Sequence, residues 1–487
     1  MSETGIGTDW LRKRALLTPS APAVVTDAAR MSWRELDAGA DGVTAALASM
    51  GVRDGDRVGV LLPNGLSFVE LIHAVPRAGA ILVPLNTRLA GAEIAWQIDD
   101  AGVRVVLHDD ATASLAREVC ARSHATPVHV SALHGVTGPA IRRECHDLQR
   151  IHSIIYTSGT TGRPKGAMLT FGNHLWSAIG SMLNLGFDPG DRLLGCLPMF
   201  HVGGLAVLLR GVIYGNCAVV EASFDPQRAN AAIDEGVTVV SVVSSMLSRM
   251  LEERGETPYP HTLRAVLLGG GPAPRPLLEL CAARGVPVVQ TYGLTEAASQ
   301  VATLAPDEAL RRLGSAGKPL LPTELRIAGE SGEAPPGQAG DILIRGATVS
   351  PGYWGRPEEG APERGDGWFR TGDIGYVDDE GFLFVLDRRD DLIVSGGENV
   401  YPAEVEAVLL SHPDVAEAGV YGQADDRWGS VPAASVVVRS GATVTGAELI
   451  GYCRGRLAAY KVPISIRVVG ALPRTAAGKL QRRLLRD

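Results

Sequence analysis

Short apolar runs alternate with helix-patterned segments through the first part of the chain. Arg57–Leu62 and Ile81–Pro84 have the continuous apolar character of buried strands, whereas Trp33–Gly51 and Phe68–Gly79 repeat apolar residues at helical spacing. Similar strand-like runs recur at Val103–Leu107, Ile151–Tyr156, Val237–Val243 and Leu263–Leu268. Strands that alternate with helices predict a mostly parallel sheet with helices on both faces.

The pattern changes after Gly314. Leu325–Ile327, Asp341–Arg345 and Gly381–Leu386 are short strand-like segments joined by glycine-rich turns. This spacing predicts a small antiparallel, barrel-like subdomain attached to the α/β body.

A charged run at Asp387–Asp391 predicts a domain boundary, and Pro402–Leu410 then has the pattern of a helix with proline in its first turn. The predicted fold is α/β with two domains. A large N-terminal domain, residues 1–387, has parallel sheets covered by helices and the barrel-like subdomain. A smaller, mobile α+β domain covers residues 391–487.

Composition and charge exclude several classes of protein. The 487 residues are too many for one core, and the net charge of -8 gives no broad attraction for nucleic acid. The six cysteines form no C-x-x-C pair, so neither a zinc site nor a redox pair is indicated. No apolar run has membrane-spanning length and no signal-like core opens the chain, so we expect a cytosolic protein. The oligomeric state stays open, and a homo-oligomer is compatible with the sequence.

The segment Tyr156–Gly166 follows a predicted buried strand and reads YTSGTTGRPKG. Its glycines allow tight turns that present N–H groups to an anion, and its hydroxyls and Lys165 add donors and a positive charge. These features predict a triphosphate-binding loop. The segment lacks the spacing of a Walker A motif, and the chain contains no G-x-S-x-G nucleophile elbow.

This loop resembles the phosphate loop of the acyl-adenylate-forming superfamily, which includes acyl-CoA synthetases, adenylation domains and luciferases. Further motifs follow in the order of that family, at Gly269–Pro272, Thr291–Glu296, Arg370–Asp373, Asp387–Asp390, Ser395–Pro402 and Pro473–Lys479. Asp387 departs from the family pattern, since many members have glycine there. The resemblance covers essentially the whole chain.

The resemblance implies an ATP site and a magnesium ion. Tyr292 would offer an aromatic face to adenine, Asp373 would accept the ribose hydroxyls, Thr295 would contact the α-phosphate and Glu296 would hold Mg²⁺. The ATP-binding residues implied are Thr157, Ser158, Gly159, Thr160, Thr161, Gly162, Lys165, Gly270, Gly271, Pro272, Tyr292, Gly293, Thr295, Asp373, Arg388 and Lys479.

The C-terminal motifs imply a change of domain orientation between two half-reactions. Lys479 would bring the acid carboxylate onto the α-phosphate. A basic run begins at Lys479, and the alternative is that this run forms the solvated face of a helix. Asp390 matches the hinge position of the family. Gly396, Gly397 and Trp428 would lie on the CoA side of the site, and ordinary packing is the alternative for Trp428.

The segment Leu197–Gly204 indicates which class of acid is bound. Amino-acid-activating domains have an aspartate in this region, and this chain has His201 there. An acid without an amine is therefore favoured, although a buried structural histidine is the alternative. Catalytic roles are implied for Lys479, Thr295 and His201.

Longer stretches of the chain lie at Leu16–Pro19, Leu85–Leu89, Leu197–Gly204, Val240–Met246, Leu267–Pro274, Gln290–Gln300, Gly314–Pro319 and Leu410–Gly419. These stretches are similar to the o-succinylbenzoate–CoA ligases of menaquinone biosynthesis, whose acid carries an aliphatic and an aromatic carboxylate. The ring carboxylate needs donors in an apolar pocket. The acid-binding candidates are His201, Arg210, Ser244, Gln290 and Ser299. For each of the last four, the alternative is a contact in the core or the pocket wall that does not involve the substrate.

The resemblance predicts an ATP-dependent ligase that adenylates o-succinylbenzoate and transfers the acyl group to CoA, giving o-succinylbenzoyl-CoA, AMP and diphosphate. The alternatives are another aryl- or acyl-CoA ligase and a stand-alone adenylating enzyme that loads a carrier protein. A non-catalytic nucleotide-binding protein would be expected to lack Lys479 or Glu296, and both are present.

Overall fold

The structure is a computed structural model that describes residues 6–135, 145–157, 164–270, 273, 275–305, 308, 311–312, 314–329, 332–357, 367–388, 393–400, 402–473 and 482–485. The chain divides into two compact units. The first comprises Met1–Thr87, Ile98–Ile155 and Gly166–Leu386, and the second comprises Arg88–Gln97, Tyr156–Lys165 and Asp387–Asp487.

The first large sheet, called here the N-terminal sheet, has six strands. In spatial order they are Lys165–Thr170, Ile151–Thr157, Ile81–Pro84, Arg57–Leu61, Val105–His108 and Thr126–His129. The strands Ile81–Pro84, Arg57–Leu61, Val105–His108 and Thr126–His129 pair in parallel. The predicted parallel sheet is therefore confirmed in this part of the chain.

The second large sheet, called here the central sheet, has nine strands. In spatial order they are Lys318–Pro319, Ser299–Thr303, Val288–Leu294, Ala265–Leu268, Val239–Val242, Arg192–Gly195, Cys217–Val220, Pro22–Val25 and Arg30–Ser32. The six inner strands, from Val288–Leu294 to Pro22–Val25, are parallel. Antiparallel strands close both edges.

Helices cover the sheets and complete the core. Their bounds are Trp10–Leu17, Trp33–Ser49, Leu66–Arg77, Gly91–Ala101, Ala113–Ala121, Phe171–Leu185, Val202–Tyr214, Pro226–Asp234, Ser244–Arg254, Arg275–Ala283, Pro402–Leu410 and Gly446–Arg454. One apolar cluster joins Val60 of the N-terminal sheet, Leu71 and Leu208 of two helices, and Val220 of the central sheet. Helices therefore form a buried layer that contributes to the packing of both sheets.

The region after Gly314 forms the predicted antiparallel sheet. Its strands, in spatial order, are Gly332–Glu333, Thr323–Gly329, Gly340–Gly346, Phe369–Val377 and Leu383–Arg388. Two strands, Thr323–Gly329 and Gly340–Gly346, are longer than predicted, because their pairing extends from Thr323 opposite Gly346 to Ala328 opposite Asp341. The strand predicted at Gly381–Leu386 lies two residues later, at Leu383–Arg388. A further two-stranded sheet pairs Ile6–Thr8 with Cys145–Asp147.

The second unit contains an antiparallel sheet with strands Glu398–Val400, Ile393–Ser395, Gly429–Val438 and Val415–Asp425, and Ile466–Val468 pairs with Gly429–Val438 in parallel. Its core includes Val405, Leu409, Val420 and Leu449. The predicted hinge residue Asp390 lies outside the described residues, so the hinge and the exact domain limits stay predictions. No helix among the described residues is long and apolar enough to cross a membrane.

Candidate active site

Two predicted nucleotide-site residues, Tyr292 and Asp373, meet in the first unit. Tyr292 lies in the strand Val288–Leu294, and its hydroxyl donates a hydrogen bond of 2.5 Å to Oδ2 of Asp373. The backbone N–H of Asp373 donates to the hydroxyl of Thr371 at 3.1 Å. Both residues are buried, and Tyr292 also belongs to the apolar core beside the antiparallel sheet. The tyrosine therefore packs in the core and also orients the predicted ribose-binding carboxylate.

A tight turn follows Tyr292 and carries Thr295, Glu296 and Ser299. Thr295–Ala297 form a single turn of 3₁₀ helix, after which Ala298 has φ 52° and Ser299 has φ 111°. Positive φ at two successive non-glycine residues costs on the order of 1–3 kcal/mol each. A Cβ atom on Gly293 would lie 1.7 Å from the carbonyl oxygen of Ser299, so only glycine fits there.

Glu296, the predicted magnesium ligand, is held by two contacts. The hydroxyl of Tyr353 donates to Oε1 of Glu296 at 2.7 Å, and the N–H of Ser350 donates to the backbone carbonyl of Glu296 at 2.7 Å. No group of three or more acidic, histidine or cysteine side chains suited to a metal occurs in the described part of the chain. One oriented carboxylate fits Mg²⁺, because this ion is commonly held by one or two carboxylates together with phosphate oxygens of the substrate.

The acid-side candidate Arg210 lies on the helix Val202–Tyr214, and the candidate His201 directly precedes this helix. His201 occupies the N-cap position, and its ring makes an edge contact with Phe200 at 4.7 Å between centroids. Arg210 is only 7% exposed, and its Nη2 donates to the hydroxyl of Ser299 at 3.4 Å. The Arg210 Nε is buried without a hydrogen-bond partner. Burial lowers the pKa of Arg210, since the guanidinium is removed from water.

The remaining acid-side candidates lie at the carboxyl ends of central-sheet strands or near them. Gln290 is buried in the strand Val288–Leu294, and its Nε2 has no hydrogen-bond partner. Ser244 is the first residue of the helix Ser244–Arg254 and is partly exposed. Gly270, a predicted ATP-binding residue, also lies near a strand end, since it follows the strand Ala265–Leu268 with φ 79°. Carboxyl ends of parallel strands are the usual location of ligand sites in open α/β sheets.

Part of the predicted site lies outside the described residues. The loop residues Ser158, Gly159, Thr160, Thr161 and Gly162 are among these, as are Gly271, Pro272, Asp390 and Lys479. The two ends of the loop are described. The hydroxyl of Thr157 donates to the carbonyl oxygen of Lys165 at 3.4 Å. Outside this loop, the predicted ATP-binding residue Arg388 is the last residue of the strand Leu383–Arg388.

The CoA-side candidates come together in the second unit. Gly396 and Gly397 have φ 58° and 85° and form a two-residue hairpin turn, with Ser395 paired to Glu398. The N–H of Gly396 donates to the carbonyl oxygen of Trp428 at 3.0 Å, and a Cβ atom on Gly396 would lie 2.6 Å from Cε3 of that indole. Trp428 packs on the turn and remains 44% exposed, so it combines packing with an accessible aromatic face.

Sequence reasoning missed several residues that support these candidates. Tyr353, which holds Glu296, lies in the turn SPGY, and only its proximity in the fold connects it with the site. In the second unit, Arg88 Nη1 donates to Glu398 Oε1 at 2.5 Å, and the Glu398 side chain is buried. Arg88 and Glu398 are 310 positions apart, so no local pattern connects them.

The fold and these site residues define an adenylate-forming enzyme. The family model described as AMP-binding enzyme matches residues 11–354, and that described as AMP-binding enzyme C-terminal domain matches residues 404–479. The chain belongs to the AMP-binding enzyme family, as the order of its motifs predicted.

Individual relatives of the chain allow a more specific comparison than the family models. The chain is 50% identical to 2-succinylbenzoate–CoA ligase of Geobacillus kaustophilus over 98% of this chain and 97% of that protein. It is 42% identical to a double mutant of o-succinylbenzoate CoA synthetase from Bacillus subtilis bound to its product analogue OSB-NCoA, with a TM-score of 0.94 and coverage of 99% of this chain and 98% of the other. The same synthetase in complex with ATP and a magnesium ion gives a TM-score of 0.77 at 42% identity, covering 99% of this chain and all of that one.

Proposed function

We propose that this protein is an ATP-dependent ligase that adenylates o-succinylbenzoate and transfers the acyl group to CoA. Identity of 50% over nearly the full length supports the same reaction as in the Geobacillus ligase. The structural observation that carries the choice of acid is the buried Arg210, whose Nε has no partner.

A buried guanidinium without a carboxylate partner is costly, because charge is removed from water without compensation. No ion pair within the described residues involves Arg210, and its polar contact is the hydroxyl of Ser299. The rest of the helix Val202–Tyr214 is strongly apolar. An acid with a second carboxylate would supply the missing anion, so Arg210 and Ser299 are proposed to bind the ring carboxylate of o-succinylbenzoate.

The reaction proceeds in two balanced steps. An oxygen of the aliphatic carboxylate attacks the α-phosphorus of ATP and diphosphate leaves, giving the acyl-adenylate. The thiol of CoA, losing its proton, then attacks the acyl carbonyl carbon and AMP leaves. Thr295 and Lys479 are proposed to stabilise charge at the α-phosphate during the first step, since fixed donors aimed at developing charge lower the barrier.

Magnesium is proposed to be held by Glu296 and by phosphate oxygens of the nucleotide. The ion supplies charge neutralisation at the phosphates when bound. Glu296 is suited to this role because Tyr353 fixes one of its carboxylate oxygens. Asp373 is proposed to bind the ribose, with Tyr292 fixing its orientation.

The proposed acid is tested by changing Arg210 and the substrate together. Arg210→Met keeps a long apolar stem and removes the charge. The substrates are o-succinylbenzoate and 4-oxo-4-phenylbutanoate, which lacks only the ring carboxylate. We expect kcat/KM for o-succinylbenzoate to fall about 10–100-fold, as for loss of hydrogen bonds to a charged group. The kcat/KM for 4-oxo-4-phenylbutanoate should change less than about threefold.

The matched control is Arg14→Met, because Arg14 donates to the carbonyl oxygens of Val212 and Ile213 in the last turn of the same helix. It should leave the ratio of the two kcat/KM values unchanged. An equal fall for both substrates in Arg210→Met would contradict recognition of the ring carboxylate by Arg210.

A further inference from the structure

The segment that leads to His201 is held by one buried side chain, Asn64. Asn64 lies three residues after the strand Arg57–Leu61 of the N-terminal sheet and is 8% exposed. Its Nδ2 donates to the carbonyl oxygens of Leu197 at 2.9 Å and Glu221 at 3.1 Å. Its Oδ1 accepts from the N–H of Met199 at 2.9 Å. Both amide donors and the amide acceptor are therefore used on backbone groups.

These bonds join the ends of three strands from two sheets. The strand Arg57–Leu61 leads to Asn64, the strand Arg192–Gly195 leads to Leu197, and the strand Cys217–Val220 leads to Glu221. The carbonyl oxygen of Leu197 and the N–H of Met199 lie between the strand Arg192–Gly195 and the helix Val202–Tyr214. The regular hydrogen bonds of that strand and that helix therefore do not pair them. A buried backbone group needs a partner, and Asn64 supplies one to both residues.

The same segment sets the position of His201. The N–H of His201 donates to the carbonyl oxygen of Pro198 at 3.1 Å, and the carbonyl of His201 accepts from the N–H of Leu205 at 3.0 Å. The turn held by Asn64 therefore continues directly into the first turn of the helix Val202–Tyr214. A displacement of Leu197 or Met199 would move the histidine and the start of this helix together.

We infer that Asn64 is a positioning residue for the acid site: it fixes the backbone that places His201, without contacting the substrate itself. This inference rests on the proposed function in one respect, namely that His201 belongs to the acid site. Asn64 is expected to affect recognition of the acid and to leave recognition of ATP unaltered.

The first test is Asn64→Asp, which is nearly isosteric. The carboxylate keeps an acceptor for Met199 but places an oxygen where Nδ2 donates to two carbonyl oxygens. We expect KM for the acid to rise about tenfold or more, as for a small misplacement of a substrate-positioning group. KM for ATP should change less than about twofold. Equal changes in both constants, or no change in KM for the acid, would overturn the inference.

The second test separates positioning from a purely structural role. In a His201→Ala background, Asn64→Asp should raise KM for the acid by less than about twofold further, because residues that act through one another are not additive. Full additivity would show that Asn64 does not act through His201 and would overturn the inference.

The matched control is Asn216→Asp at the other end of the same helix. Asn216 is buried, and its Nδ2 donates to the carbonyl oxygens of Asp188 at 2.9 Å and Pro189 at 3.4 Å. It should lower the melting temperature without changing the ratio of the two KM values. If Asn64→Asp does not fold, Asn64→Ser takes its place, and failure of both to fold would overturn a positioning role in favour of a structural one.

The measurements use the acid that the wild-type enzyme converts fastest. A wild-type enzyme that prefers another acid would contradict the proposed substrate and would leave the Asn64 test intact. A wild-type enzyme that prefers o-succinylbenzoate, together with unchanged acid KM in Asn64→Asp, would contradict the Asn64 inference alone.

Discussion

At the scale of single residues, the site depends on carboxylates whose orientation is set by tyrosine hydroxyls. Tyr292 holds Asp373 at 2.5 Å, and Tyr353 holds Glu296 at 2.7 Å. A carboxylate that is oriented before its ligand binds loses less conformational entropy on binding. Substitution of a residue that hydrogen-bonds to a metal ligand commonly lowers the metal affinity about tenfold or more.

The Glu296 contact leads to a prediction for Tyr353→Phe. The substitution removes one hydroxyl, so Glu296 loses the donor that fixes Oε1. We expect the magnesium concentration that half-saturates ATP binding, measured by calorimetry, to rise about tenfold. Binding of ATP without magnesium should be unchanged.

Tyr259→Phe is the control for this measurement. Tyr259 donates to Oδ1 of Asn230 at 2.9 Å, so the control also removes one hydroxyl from a partly buried hydrogen bond. It should leave the magnesium dependence unaltered. A normal magnesium requirement in Tyr353→Phe would show that Glu296 does not depend on this tyrosine.

At the scale of secondary-structure elements, buried histidines join the strand Ile151–Thr157 to the helix Phe171–Leu185. His152 and His174 are buried, with ring centroids 4.8 Å apart, and the hydroxyl of Ser153 is 3.0 Å from Nε2 of His174. Burial lowers the pKa of His174 to about 3. Burial, with repulsion from His174 and neighbouring histidines, also lowers the pKa of His152. Both histidines are therefore neutral in the folded protein near pH 7.

This packing predicts a loss of stability in mild acid. The unfolded chain takes up a proton on His174 below its ordinary pKa of about 6.5, whereas the folded protein does not. The free energy of unfolding should therefore fall as pH decreases from 6.5. Relative to His174→Gln, which does not titrate, the wild type should lose about 2 kcal/mol between pH 7 and pH 5.

Urea unfolding of both proteins at pH 7, 6 and 5 measures this difference. The comparison separates the effect of His174 from that of Glu221. Burial raises the pKa of Glu221 to about 7, so Glu221 makes the free energy of unfolding rise as the pH falls. A difference that stays constant from pH 7 to pH 5 would mean that His174 takes up protons equally in the folded and unfolded states, which would contradict the prediction.

Elements with a strong local pattern could be predicted from the sequence. The run Ile81–Pro84 is a strand over those same residues, and the helix Trp33–Ser49 begins after a capping box formed by Ser32 and Glu35. Both are determined by nearby residues. Strand ends were less predictable, because the strand Thr323–Gly329 extends as far as its partner Gly340–Gly346 allows.

Candidate site residues could be named from the sequence where a motif contained them, and not where the fold brings residues together from distant parts of the chain. Glycines and hydroxyls predicted a phosphate loop, whose central residues lie outside the described part of the chain, and a motif contained Gly396 and Gly397. Asn64 was missed because its partners are more than 100 positions away. Backbone hydrogen bonds of this kind leave no periodic pattern in the sequence.

At the scale of the whole molecule, the two units carry different parts of the proposed reaction. The first contains Tyr292, Asp373, Glu296 and the acid-side residue Arg210. The second contains the hairpin of Gly396 and Gly397 with Trp428, and its C-terminal segment carries the predicted Lys479. The residues proposed for adenylation and for thioester formation therefore come from different parts of the chain.

The central claim is tested most directly by the rate of AMP formation from ATP with different acids, with and without CoA. The account predicts that multiple turnovers with o-succinylbenzoate require CoA. It also predicts that kcat/KM for this acid exceeds that for benzoate, acetate, fatty acids and 4-oxo-4-phenylbutanoate by about 100-fold or more. Comparable kcat/KM for benzoate, or sustained AMP release without CoA, would contradict it.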